Sequence, residues 1–402
     1  MTSKFRDHYL SFRESKRKKL IRGLLTVTLL DDDSGDDDDD LVVPLLAEYY
    51  RLNYAIVPDT VQRRHHLNTE SFPVEGSWRG TFGFKKPDLY KLLRLLEIPD
   101  KIRLENGSVF TGEELLLLCL YRYKSLDELD KACLVLGRDH TQLSRALQWF
   151  NSFIIDRWGH KLTNNLAYWE RHFSRFADAI RKKVIEKSSN TLYYAPDNFF
   201  IFAFIDCNVN HISRPGAGPG NQGQRDPDNI QEAFYNGWKR FHGLKWSALE
   251  LPCGLCGFLY GPNSFRRHDL DVFNESEIND KVAEVQAGND KQYFMYGDRI
   301  FVFQSHVRRA HMGDDYDLTL LEIQENRIMA KVRIAVEWDF GVTSKLFKFT
   351  QYWRNIQVLK HENHRMYYFV ATLLRNLHAC LYPSTTSQYF NCPPPSLEDY
   401  LL

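Results

Sequence analysis

One short segment narrows the choice of fold more than any other. The run Phe199 to Ile205 (FFIFAFI) is apolar for seven residues, rich in Phe and Ile, and ends in Asp206. A strand with one wet face would alternate apolar and polar residues, so this run reads as a strand buried on both faces. A second apolar strand, Tyr293 to Tyr296, stops at Gly297-Asp298. Between them the pattern predicts strands at Lys245 to Leu251 and Leu255 to Tyr260, joined by a Pro-Cys-Gly turn, and a helix from Leu270 to Val285. A further strand is expected at Ile300 to Gln304, a helix from Leu318 to Phe340, and a buried helix from about Met366 to Leu381. The fold class expected is therefore α/β.

Composition limits what surrounds this core. With 402 residues, 43% hydrophobic and 14% aromatic, the chain can bury a sizeable interior, which argues against a disordered or fibrous protein. The apolar stretch Leu20 to Leu30 is short and interrupted by Arg22, so neither a membrane span nor a signal peptide is expected. Seven cysteines, odd in number and scattered through apolar stretches, read as reduced thiols in the core. Lys plus Arg and Asp plus Glu number 52 each, but eight of the acids fall in Asp31 to Asp40, leaving 52 basic against 44 acidic residues elsewhere. A like-charged block repels itself and stays solvated, so 31–40 reads as a disordered linker beside a basic body.

Residues 1–30 form a basic amphipathic stretch whose SKRKKL cluster suits either a nuclear-entry signal or a solvated helix face. Residues 41–110 read as mostly helical. In 111–190, Thr111 with Glu114, Ser125 with Glu128, and Asp139 with Gln142 each set a capping oxygen three residues before Glu or Gln. They mark three helices, at Gly112 to Tyr123, Leu126 to Leu136 and Thr141 to Trp158. The Gly-containing turn between the last two fits a helix-turn-helix-like unit offering Gln142, Arg145 and Gln148 to DNA, although any three-helix bundle could share these caps. The catalytic part is expected at 191–382, with 383–402 as a tail.

The acids suggest the chemistry. A carboxylate at the end of an apolar strand is costly to bury unless it is paired or bound to metal. If the strand ending at Tyr296 joins the first in parallel, Asp206 and Asp298 emerge side by side, and Mg²⁺ or Mn²⁺ would relieve their repulsion. Glu337, expected in the last turn of its helix, is the third candidate, with Arg333 one turn earlier able to pair with it. Two strand-end aspartates and a helix glutamate, with 91 and 38 residues intervening, are the arrangement of ribonuclease-H-like two-metal phosphoryl transferases.

Several ordered blocks resemble a known family. FAFIDCNVNHISRPG, YNGWKRFHGLKW, LPCGLCGFLYGPNSFRRHDLDVFNES, YGDRIF and NRIMAKVRIAVEWDFG are similar to the DDE endonuclease domain of PIF/Harbinger transposases over about residues 195–382. The resemblance implies cut-and-paste DNA transposition in the nucleus by a ribonuclease-H-like domain with an N-terminal helix-turn-helix region. It also implies a divalent metal and a partner with a Myb-like DNA-binding domain. It assigns the three acids to Asp206, Asp298 and Glu337. After Gly-Asp the family usually has small residues and Tyr, where this chain has Arg299, Ile300 and Phe301. Joining two DNA ends implies at least a homodimer. A host-adopted relative that keeps the fold without cutting is the alternative, and a metal nuclease acting on RNA is a third.

Other residues complete the expectations. Asp269 is the rival second acid, or else a helix cap supporting the site. His242 and Lys245 could touch the scissile phosphate, although a lysine at a strand start is more often solvated. Arg327, Lys331, Lys345 and Lys348 flank Glu337 and could track a DNA backbone. Cys253 and Cys256 form a lone CxxC, better suited to two packed thiols than to zinc. Trp238, Trp246, Trp338 and Trp353 read as core or interface anchors.

Overall fold

The computed structural model describes residues 78–188, 195, 198–215, 230–301, 304–314, 317–353, 356–358 and 366–402. The basic stretch 1–30, the acidic block 31–40, residues 41–77 and the Gly- and Pro-rich loop 216–229 lie outside the described residues. The chain divides into two units, Met1–Leu67 with Glu128–His140, and Asn68–Asp127 with Thr141–Leu402.

The second unit opens with helices α1 (Trp78–Phe82) and α2 (Lys86–Leu95), followed by a hairpin, β1 (Lys101–Arg103) and β2 (Val109–Thr111). Within the described part of 41–110 this hairpin follows the two helices, a departure from the mostly helical expectation only at 101–111. Its strands each bury one residue, Ile102 and Phe110, and the turn between them contains Asn106-Gly107, with Gly107 at φ 80°. Helix α3 (Gly112–Lys124) follows, capped as expected by Thr111 Oγ1, which accepts from the Glu114 N–H at 3.1 Å. In the first unit, α4 (Leu129–Leu136) starts three residues later than expected, because Ser125 is extended and its Oγ accepts from the Asp127 N–H instead of capping. Gly137, left-handed at φ 65°, closes α4. Helix α5 (His140–Trp158) and the short α6 (His160–Thr163) and α7 (Leu166–Glu170) lead to α8 (Phe173–Ser188).

The main sheet begins with β3 (Ile201–His211). The later elements are α9 (Ile230–Phe234), β4 (Tyr235–Asn236), β5 (Phe241–Glu250), β6 (Cys256–Ser264), α10 (Asp269–Glu275), α11 (Ile278–Val285), β7 (Phe294–Tyr296) and β8 (Val307–Arg308). β3, β5 and β6 form an antiparallel meander, while β7 joins β3 in parallel and β8 joins β7 in parallel. The sheet order β4-β5-β3-β7-β8, with β6 also on β5, is mixed, consistent with a ribonuclease-H-like domain. The helix expected at Leu270 to Val285 is two helices, broken where Glu277 turns left-handed at φ 54°. Of the strand expected at Ile300 to Gln304, residues 302–303 lie outside the described residues and Phe301 sits in a turn, its N–H bonding back to the Asp298 carbonyl, and the next strand is β8.

Strand alternation gives the sheet two distinct faces. Glu250, paired with Phe204, lies on the Asp206 face, where the long α12 (Leu320–Leu346) and the buried α13 (Tyr367–Leu381) pack. α12 starts in a Thr319–Glu322 capping box. Arg375 of α13, 2% exposed, holds Glu250 through two bonds of 2.8 and 3.2 Å. The expected tail is packed structure: α14 (Thr385–Tyr389) and α15 (Leu397–Leu401) bury Phe390, Leu397 and Tyr400, and the Tyr400 hydroxyl accepts from Asn376 Nδ2 at 3.0 Å. None of the seven cysteines is in a disulfide; Cys253 is buried in the tight β5–β6 turn and Cys256 at the start of β6.

Two predictions follow from this core. Glu250→Ala leaves the Arg375 guanidinium buried without its counter-charge, so urea unfolding should show a loss of about 3–5 kcal/mol. The second concerns Asp339 of α12, 1% exposed, whose Oδ1 accepts from the Thr386 hydroxyl at 2.8 Å. Burial pushes its carboxyl well above the usual range, and Glu250 adds to the push against Arg375 and Thr386. The folded protein therefore holds a proton that the unfolded chain releases first, and stability falls as pH rises from the usual carboxylate range through this raised value. Asp339→Asn should flatten that fall, measured as a smaller drop in the urea midpoint between pH 5 and 8.5 than the native chain shows.

Candidate active site

The parallel register β3–β7 pairs Ile201 with Phe294, Ala203 with Met295 and Phe204 with Tyr296. Asp206 and Asp298 each follow the last pair by two residues, so the sheet places them side by side. Asp206 does not end its strand, as the apolar run suggested. It sits mid-strand opposite Ala248, and β3 runs five residues further through Cys207 to His211. Pairing to β5 sustains the strand after the apolar run stops. Asp298 is exposed beyond β7, its Oδ1 accepting from the Arg299 N–H at 2.6 Å. A Cβ on Gly297 would meet Phe301 Cδ2 at 2.5 Å and Ile205 Cγ2 at 3.0 Å, so glycine lets the end of β7 press against β3 here. The fully buried Phe301, which departs from the resembled pattern, packs on Phe273 and floors the loop carrying Asp298.

Arg333 reaches the site from α12, its Nη1 donating to Asp206 Oδ2 at 2.7 Å, while the Cys207 N–H donates to Oδ1 at 2.8 Å. Burial holds the Asp206 carboxyl above the usual carboxylate range; Arg333 and the Cys207 N–H pull it down, and Asp298 and Asp269 push it up. The expectation that Arg333 would pair with Glu337 is corrected, because its ion pair is with Asp206. Glu337 lies not in the last turn of its helix but nine residues before the end of α12. Its side chain is exposed, about 40° around the helix from Arg333. Glu325, two turns before Arg333, is an acid the sequence reading missed; it acts with Arg333 and Asp298 on buried Tyr296 and is bonded by His311 Nε2 at 3.1 Å.

Among the described residues, no three His, Cys, Asp or Glu side chains stand together closely enough to hold one metal ion. The structure thus brings Asp206 and Asp298 together and leaves Glu337 on the exposed flank of the helix that supplies Arg333. Two aspartate carboxylates at one sheet edge still fit Mg²⁺, which is commonly held by one or two carboxylates with waters and substrate phosphates completing its shell.

The rival acid stands apart. Asp269 is the first residue of α10, where His268 is the N-cap, and its carboxylate meets Lys245 Nζ at 2.5 Å. Lys245 pairs across the strands with Val209, on the face opposite Asp206, and its side chain is 6% exposed. Lys245 is therefore neither solvated nor beside the aspartates, because its ammonium is spent on Asp269 and the Arg267 carbonyl. Asp269 has a supporting position on the Cys207 side, where its carbonyl contacts the Cys207 thiol. His242 lies six residues along β5 from Ala248, about 20 Å from the aspartates.

Cationic side chains line the surroundings. Arg327, Lys331, Lys345 and Lys348 are all exposed, the first three on α12. Tyr389, whose hydroxyl meets the Lys331 carbonyl at 3.5 Å, borders a groove of about 630 Å³ that also includes Arg171, Arg175, Lys182 and Lys183. The i,i+7 spacing of Arg175 and Lys182 on α8 was a readable signal for this groove. On α5, Arg145 and Gln148 are exposed and Gln142 is half-buried.

Comparison with known proteins adds one match: residues 205–376 fit the family described as DDE superfamily endonuclease. This segment encloses Asp206, Asp298 and Glu337 and supports a DDE transposase-like nuclease. No curated protein and no solved structure matches the chain.

The Asp206–Arg333 contact carries a direct prediction. Arg333→Met should lower unfolding stability by about 1–3 kcal/mol while Asp206 is present, because a mostly buried carboxylate loses its charged donor. The cost should shrink markedly in an Asp206→Asn background, as a double-mutant cycle by urea unfolding will read.

Proposed function

We propose that the chain is a DNA transposase of the PIF/Harbinger type, cutting transposon ends and joining the freed 3′ hydroxyl to target DNA. The observation that carries the reading is the parallel β3–β7 register that sets Asp206 beside Asp298 within a segment matching DDE superfamily endonucleases. Divalent ions, Mg²⁺ or Mn²⁺, would supply Lewis-acid activation of the attacking oxygen and charge stabilisation of the leaving oxygen. Asp206 and Asp298 would hold them as hard oxygen ligands, with Arg333 holding the Asp206 carboxylate in place until the cation takes it and Asp269 supporting from the opposite face. Glu337 would complete the ligand set from α12 once DNA phosphates enter.

Arg327, Lys331 and Lys345 would track the backbone of the bound duplex, and Gln142, Arg145 and Gln148 would contact DNA from α5. Work on two transposon ends calls for at least a homodimer, nuclear localisation and a Myb-like DNA-binding partner. These assignments rest on the sequence resemblance.

The test is Mg²⁺-dependent cleavage of DNA carrying the element's terminal repeats, with the partner protein present. Asp206→Asn and Asp298→Asn should remove cleavage while DNA binding stays within a few-fold. Glu337→Gln should cost more than the roughly 10- to 100-fold that loss of a mere supporting residue brings. Cleavage retained by either aspartate variant contradicts the assignment. No product from the native chain leaves the reading of a non-cutting, host-adopted DNA-binding relative.

A further inference from the structure

The far end of the sheet carries a feature that the proposed chemistry does not use. Between β4 and β5 the chain turns through Gly237, Trp238, Lys239 and Arg240, and the Trp238 side chain stands out at 91% exposure. Of the two sequence readings of Trp238, core or interface anchor, the exposure excludes the core, whereas Trp246 is fully buried. The turn holds itself without the indole. Asn236 Oδ1 accepts from the backbone N–H groups of Trp238 and Lys239 at 3.1 and 3.0 Å, the Arg240 N–H bonds the Asn236 carbonyl at 2.7 Å, and Arg240 adopts φ 59°. A large aromatic at the apex of such a turn is held out in one place, so little conformational freedom is lost when something stacks on it.

The setting favours one kind of partner. Exposed Lys239 and Arg240 lie in the turn itself, exposed Arg214 acts on His242, and among the described residues of this stretch the acid, Glu232, is paired with Arg266. Two further aromatics at the same end of the sheet, Tyr235 against His242 and Trp353, are each 39% exposed, Trp353 stacked on His211 with centroids 4.8 Å apart and planes 10° apart. Burial, Arg214 and His211 hold the His242 imidazole below its usual range, so it adds an aromatic face more than a charge. Aromatic faces interleaved with cations are the means by which proteins hold unpaired or unstacked bases while neutralising the backbone. A protein-binding anchor would instead sit in an apolar patch with a polar rim.

Resting on the nuclease reading above, we infer that Trp238 is a base-stacking contact, inserted against unpaired or locally unstacked bases of the DNA held by this domain. Ala248 lies opposite Asp206, and from Ala248 to the start of β5 at Phe241 is seven residues. At about 3.3 Å per residue this is about 23 Å, or about seven base pairs of duplex from the aspartates. Lys239 and Arg240 supply the backbone contacts around the stacked base.

The experiment uses the full chain in EDTA and a fluorescent 30-base-pair duplex with a four-nucleotide central bubble carrying 2-aminopurine. Trp238→Ala should weaken binding about tenfold and abolish the 2-aminopurine quenching, Trp238→Phe should retain most of both, and Lys239→Ala with Arg240→Ala should flatten the salt dependence of binding. Because the turn is closed by its own backbone and the Asn236 side chain, without the indole, circular dichroism of these variants should match the native chain. Native affinity and quenching in Trp238→Ala overturn the inference, as does a Trp238→Ala defect confined to self-association measured by light scattering. If Trp238→Ala is silent while the native chain still cleaves DNA, the stacking contact falls and the nuclease reading stands. If the native chain binds neither bubble nor duplex, both fall.

Discussion

The pairing of a short strand, Phe294 to Tyr296, in parallel with Ile201 to His211 is the constraint on which the rest depends. A parallel pair cannot be made by a tight turn; it needs a crossover, and here helices α10 and α11 lie between the meander and β7. That crossover brings together two aspartates 92 positions apart in sequence. Gly297 makes the approach close enough, since any side chain there would strike Phe301 and Ile205. Shift the register by one residue and Asp298 would face the other side of the sheet.

Three ion pairs flank the sheet. On the Asp206 face, Arg333 meets Asp206 and Arg375 meets Glu250. On the opposite face Lys245 meets Asp269. The three pairs differ in exposure: the Arg375–Glu250 pair is sealed in the core, while Asp206 and Arg333 remain about one-fifth exposed. The Asp206 pair is thus more open to exchange than the Arg375–Glu250 pair. On the proposed reading an incoming cation would take the carboxylate, and the released guanidinium would stand ready for a phosphate. The surface around it is rich in exposed cations, which favours a polyanionic substrate through counterion release.

Much of this was readable in advance, and the reasons for the misses are physical. The FFIFAFI run marked β3, the meander with a parallel return was expected, and the acids at the ends of apolar runs pointed to the sheet edge where they meet. The end of the apolar run did not reveal that β3 continues past Asp206, because hydrogen bonding to β5 sustains a strand whose residues are no longer apolar. Spacing along α12 suggested Arg333 with Glu337, but the partner chosen is 127 residues away across the fold, where a mostly buried carboxylate gains more from the charge than an exposed one does. Lys245 looked like a solvated strand end because nothing in the sequence announces that Asp269 will stand beside it. The hairpin of 101–111 was signalled by Asn106-Gly107, yet outweighed by its helical neighbours. The packing of residues 385–401 depends on contacts such as Tyr400 with Asn376, to which no local pattern points.

The central claim is that Asp206 and Asp298 share one hard cation. The most direct measurement is anomalous diffraction at the manganese edge from crystals soaked in Mn²⁺. The account predicts a peak between the two carboxylates, with Arg333 displaced from Asp206 Oδ2. A peak elsewhere, or none at this sheet edge with Asp206 still bonded to Arg333 at saturating Mn²⁺, would contradict it.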